Sequence, residues 1–161
     1  MNLEPLQAVD VPALSRKTIY PAPFSAQVEG RIKHRLGDHF TLANFGINLT
    51  ELEPGAVSAL FRHHTKQDEF IFVVSGNPTL VLGEKEFVLS AGDCCGFKAG
   101  TGVGHQLINR SLGKVQYLEI GDRTSGDSAQ YPDDDLRAEL VNGQWHYAHK
   151  DGTPYLAGGS R

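Results

Sequence analysis

The sequence predicts an all-β sandwich or barrel, and three observations predict it. Short runs rich in apolar, β-branched and aromatic residues recur about every ten residues. Turn signals separate them: Pro54-Gly55, Gly76-Asn77-Pro78, Gly83-Glu84, Ala91-Gly92-Asp93 and Leu112-Gly113. A helical period is almost absent, so the strands have little but one another to bury their apolar faces against. The chain has 161 residues, 40% of them hydrophobic and 21% charged, which suits one domain with a core of ordinary size.

Residues 1–25 hold Pro5, Pro12, Pro21 and Pro23 without a sustained period and read as an extended arm. Residues 26–122 read as the barrel. Its candidate strands are 27-QVEGRIKHRL-36, 40-FTLANFGINLTEL-52 (broken near Asn44 to Gly46), 56-AVSALFRHH-64, 69-EFIFVVSG-76, 79-TLVLG-83, 85-KEFVLS-90, 94-CCGFK-98, 105-HQLINRS-111 and 114-KVQYLEIG-121. Residues 123–161 read as a C-terminal extension packed on the barrel or on a partner subunit. In it, 127-DSAQYPDDDL-136 is a polar connection, with a short helix from Pro132 as the alternative. Asn142-Gly143 is the strongest short hairpin signal, set between alternating segments.

A formal charge of −4 gives no expectation of nucleic acid. The best basic cluster, 31-RIKHR-35, reads as the solvated side of a strand. The N-terminus lacks the basic start and apolar run of a secretory signal. No segment approaches the roughly 20 apolar residues of a membrane span. Cys94 and Cys95 are adjacent, poor geometry for a structural disulfide, and read as buried thiols in a reducing compartment, which points to the cytoplasm. Asp133, Asp134 and Asp135 read as a solvated loop.

Chemistry concentrates in two stretches. In 58-SALFRHHTKQDEFIFVVSG-76, strand alternation puts Leu60, Arg62 and His64 on one face and Phe61 and His63 on the other. If the next strand is antiparallel, Glu69 lies near His64 and points into the same interior. In 92-GDCCGFKAGTGVGHQLIN-109, a glycine-rich loop leads to His105, which opens a strand distant in sequence. Two imidazoles and a carboxylate suit a divalent transition metal, whether zinc, iron, manganese or nickel.

These two stretches resemble the paired motifs of the cupin superfamily. Gly55, His64, Glu69 and Gly76 match the first motif, and Gly92, Gly100, His105 and Asn109 the second, while Lys98 replaces the second motif's proline and the loop to His105 is two residues longer than the minimal pattern. The similarity covers about residues 40–121, and 146-HYAHKDGTPY-155 looks like the tail of small bacterial single-domain cupins. The resemblance implies a double-stranded β-helix, a jelly-roll barrel, with an arm before it and a hairpin extension after it. It also implies a small-molecule pocket and a homodimer.

Arg62 departs from the pattern, because it stands where the family's first histidine belongs, and a guanidinium donates only. Three readings follow. His64, Glu69 and His105 alone hold the metal; a bulge turns His63 inward as a fourth ligand; or the ion is absent and Arg62 pairs with Glu69 or an anionic ligand. The leading functional expectation is a metal-dependent enzyme on a small polar or anionic metabolite, of the sugar-phosphate isomerase or epimerase type. Arg62 would bind substrate there, and His63, Arg62 and Lys98 are the catalytic candidates. The alternatives are a non-haem iron dioxygenase-like protein and a non-catalytic binding module that has lost its metal.

Overall fold

A computed structural model describes residues 4–14 and 18–155. Its strands in chain order are β1 (Arg31–His34), β2 (Phe45–Leu52), β3 (His63–His64), β4 (Glu69–Ser75), β5 (Thr79–Leu82), β6 (Lys85–Val88), β7 (Cys94–Phe97), β8 (His105–Ile108), β9 (Val115–Asp122), β10 (Ser128–Tyr131), β11 (Leu136–Val141) and β12 (Gln144–Ala148), with a one-turn helix α1 (Leu36–His39) before β2. One wall is a five-stranded sheet in the order β1-β2-β9-β4-β7. The other comprises β6-β5-β8 and β12-β11-β10-β3, joined where the chain before β3 bridges β8 at Val57↔Ile108 and Arg62↔His105. Every named pairing is antiparallel, as a jelly roll requires.

The alternation in β4 decides which residues enter the barrel. Ile71 and Val73 are buried beside Leu52, Val115 and Tyr117, and Leu80 and Leu107 meet them from the opposite wall. Each fully buried aliphatic side chain there contributes roughly 1.5–3 kcal/mol. A second core, Phe24, Leu60, Tyr131, Leu136 and Ala138, fixes the C-terminal strands to the barrel. The outward residues Phe70, Phe72 and Val74 stay about two-fifths exposed. Two turns depend on backbone conformation. Asn142 and Gly143 both have positive φ (51° and 77°), the signature of the two-residue hairpin turn between β11 and β12. At Gly76 (φ 80°) an added Cβ would lie 2.7 Å from the Lys114 carbonyl oxygen, so only glycine fits.

Several expectations change. Of the predicted strand over 56–64 only His63–His64 is regular, because the Ser58 hydroxyl takes the Leu107 N–H (2.9 Å) and opens the ladder. The strand over 27–36 shrinks to β1, flanked by a 3₁₀ turn at Phe24–Val28 and by α1. The arm is extended with 3₁₀ turns, and its residues 1–3 and 15–17 lie outside the described residues. The polar connection at 127–136 contains β10, and no helix starts at Pro132. Cys94 is exposed on the outward face of β7, opposite Phe72, and Cys95 is half-buried, so the reading of two buried thiols is corrected. Among the described residues no helix is long and apolar enough to cross a membrane.

Candidate functional site

The site lies where the two walls face each other at one end of the barrel. β4 supplies Glu69, flanked by Gly121 of β9 and Phe97 of β7. The opposite wall supplies Arg62, His64 and His105, and the Arg62↔His105 bridge sets their spacing through backbone bonds of 2.9 and 3.3 Å. Arg62 donates from Nη2 to Glu69 Oε1 (2.8 Å) and from Nε to His64 Nε2 (3.1 Å). Glu69 Oε2 is buried 2.9 Å from His105 Nε2 and 3.5 Å from His64 Nε2. Burial alone would push the Glu69 carboxyl up, but the Arg62 guanidinium and the neighbouring His105 and His64 together outweigh it and hold the group well below the usual range. Burial pushes His105 down, so its imidazole is neutral at physiological pH.

His64 is fixed from behind. Its Nδ1 lies 2.5 Å from Asp127 Oδ2, so Nδ1 carries the proton and the Nε2 lone pair faces the cavity. The Asp127 side chain is fully buried and its Oδ1 accepts the backbone N–H groups of Thr65, Lys66 and Gln67 (3.1, 2.8 and 3.3 Å). Trp145 meets the His64 ring edge-on at 5.8 Å, and Phe97 stacks on His105 at 3.7 Å. Asn109 anchors backbone as its motif position suggested, donating to the Leu52 and Gly113 carbonyls.

These groups line a cavity of about 340 Å³, with Tyr20, Tyr117, Tyr131, Trp145 and Tyr147 among its walls. Two candidates do not reach it. His63 is absent from the cavity lining, and Lys98, just past the end of β7, is exposed. Strand alternation explains both, since each neighbours an inward residue, His64 and Phe97. Three residues that sequence reasoning missed do line it. Arg31 and Lys33 occupy the inward face of β1, which corrects the reading of 31-RIKHR-35 as a solvated side, and Glu119 of β9 pairs with Lys33 and accepts from Asn48 (2.9 Å). The alternation in β1 and β9 carried this signal, but charge on an inner face looks like charge on an outer one.

A sequence model of the cupin domain matches residues 48–121. A protein from Silicibacter pomeroyi described as a sugar phosphate isomerase from the cupin superfamily has 36% identity, covering 96% of this chain and 98% of its own, with a TM-score of 0.88. The chain belongs to the cupin superfamily. A protein from Acidithiobacillus ferrooxidans provisionally named a sugar phosphate isomerase is 29% identical over 78% of this cupin and 80% of its own length, TM-score 0.71. The polyketide cyclase of Streptomyces resistomycificus, at 17% identity over 75% and 80% of the two chains and a TM-score of 0.60, shares the fold. No curated protein sequence matches.

Cupins commonly hold a metal, and the expected ligands His64, Glu69 and His105 do converge in this one. As arranged, however, the residues do not fit an ion. Arg62 engages both His64 Nε2 and Glu69 Oε1, and a guanidinium beside them repels a cation. Among the described residues no group of three or more His, Cys, Asp or Glu side chains is set to hold one.

The same charges make an acid-sensitive barrel. Burial alone would raise Glu69, Glu119 and Asp127, but each is held below its usual range by several partners together, led by Arg62, Lys33 and His64 respectively. Their stabilising contributions are complete above the unfolded carboxyl range near about pH 4 and are lost as pH falls through the lower folded values. His105 adds an earlier loss, because the unfolded imidazole gains a proton below about pH 6.5 that the buried one does not. Urea midpoints should therefore decline below about pH 6.5 and steepen below about pH 4. A midpoint that rises on acidification contradicts this electrostatic picture.

Proposed function

We propose that the barrel pocket performs acid–base chemistry on a small, anionic, polyhydroxylated metabolite, of the sugar-phosphate isomerase type. The observation that carries the reading is the Asp127–His64 pair, a buried carboxylate that fixes one imidazole nitrogen and presents the other's lone pair to the cavity. The Silicibacter pomeroyi relative, matched along almost its whole length, supports the substrate class.

In this scheme His64 Nε2 takes the proton from the hydroxyl-bearing carbon beside the substrate carbonyl and returns it to the former carbonyl carbon, while that hydroxyl's proton passes to the former carbonyl oxygen of the enediol. Asp127 balances the positive charge on the ring meanwhile. Arg62 Nε–H now rests on His64 Nε2, so a substrate oxygen that draws the guanidinium away frees the base as it binds. The same guanidinium then steadies the negative charge that develops on that oxygen. Glu69 keeps Arg62 in place, and the aromatic walls limit water.

The test is proton–deuterium exchange at carbon, followed by NMR across a panel of aldose and ketose phosphates. At least one should exchange and interconvert, and His64→Asn should slow it by roughly 10²–10⁴-fold. If no member exchanges although ligands bind, the reading fails and the pocket belongs to a binding module.

A further inference from the structure

We propose that Arg31, at the β1 wall of the same cavity, is the anchor of an anion subsite separate from the Arg62–His64–Glu69–His105 cluster. The inference rests on the reading of the pocket as a small-molecule site and names which end of the ligand binds where: a phosphate or carboxylate group at Arg31, the reacting carbons at His64.

Charge is the first argument. The chain is acidic, at −4, and its cavity is lined by Arg31, Lys33, Arg62 and Arg123 against Glu69, Glu119 and Asp122, with Asp38 behind Arg123 as a fourth carboxylate. Four cations held in a half-enclosed space favour an anionic guest at whichever of them lacks a carboxylate of its own.

Hydrogen bonding is the second. Three of the four cations already have carboxylate partners. Arg62 is held by Glu69, Arg123 reaches Asp38 (2.6 Å) and Lys33 is bonded to Glu119. Glu119 is itself engaged by Asn48 (2.9 Å) and Tyr117 (3.3 Å), so it has little left to offer Arg31. Arg31 has no ion pair among those of the described residues. Its Nη1 donates to the Ser58 carbonyl, which fixes the guanidinium in place, and its Nε is buried without a hydrogen-bond partner. An anchored guanidinium without a carboxylate partner favours an acceptor from the cavity, and its planar donor set matches the oxygens of phosphate and carboxylate. Lys33, beside it, adds charge while its ammonium is committed to Glu119.

Thermal melting with inorganic phosphate and with malonate as separate probes tests the subsite, on wild type, Arg31→Gln, Arg31→Lys and Arg123→Gln. The wild type should be stabilised by at least one probe at millimolar concentration, and which one distinguishes a phosphate from a carboxylate guest. Arg31→Gln should weaken that binding by roughly tenfold or more, Arg31→Lys by less, and Arg123→Gln, a lining cation already paired with Asp38, only slightly. Melting without probe shows which variants fold; should Arg31→Gln not fold, Arg31→Lys still carries the test, because losing the fork alone weakens binding. No stabilisation by either probe, or an equal loss in Arg123→Gln, overturns the inference. Substrate kinetics separate the two claims. An isomerase whose KM ignores Arg31 keeps the function and loses the subsite. Anion binding that depends on Arg31, without exchange chemistry, does the reverse.

Discussion

Asp127→Ala is expected to cost about 3–5 kcal/mol of stability at neutral pH and to abolish most exchange activity. One fully buried carboxylate terminates a whole turn: Thr65, Lys66 and Gln67 give it their backbone N–H groups, Thr65 its hydroxyl (3.2 Å) and His64 its Nδ1–H. Removing it leaves several donors without an acceptor between β3 and β4, which is the turn that places His64 opposite Glu69. Asp127→Asn keeps the shape and one acceptor oxygen, so it should lose less stability. It cannot balance an imidazolium, so its loss of exchange should stay large. Urea unfolding beside the NMR assay separates the two effects. Equal losses of stability in both variants, with exchange intact in Asp127→Asn, would make Asp127 structural only.

The second large effect is at Arg62. Arg62→Met should cost about 2–3 kcal/mol, below the full penalty for breaking a buried pair because the Arg62 and Glu69 side chains keep 18% and 23% exposure. The loss comes from Glu69, left ionised and unpaired between two imidazoles. A second substitution, Glu69→Met, should then restore part of the stability, giving a clear coupling term in a double-mutant cycle. Additive losses would show that the pair seen at 2.8 Å carries no energy.

Much of this was legible in the sequence. The strand run from Phe45 to Asp122 gave itself away by alternation and glycine turns, and the hairpin at Asn142-Gly143 by its dipeptide. Arg62, His64, Glu69 and His105 could be placed on one interior because period two leaves little choice once both walls are known. Asp127 was hidden for a physical reason. Its role depends on a fold-back across more than sixty residues to Thr65, and its surroundings, 127-DSAQYPDDDL-136, read as solvated. Arg31 and Lys33 were hidden by the opposite error, since hydropathy reports polarity and not solvent, and a charged pocket wall has the pattern of a surface. The irregular chain from Ala56 to Arg62 was unpredictable because one hydroxyl, on Ser58, decided it.

The central claim is that Arg62 holds the place in which a cupin keeps a metal ligand. Metal content by mass spectrometry on untagged protein, purified without chelators and without added metal, tests it most directly in wild type, Arg62→His and His105→Ala. The account predicts less than roughly one transition-metal ion per ten wild-type chains and a gain toward one per chain in Arg62→His, which restores an imidazole and removes the competing cation. Near one ion per wild-type chain, lost in His105→Ala, would contradict it and return the site to three-ligand metal chemistry.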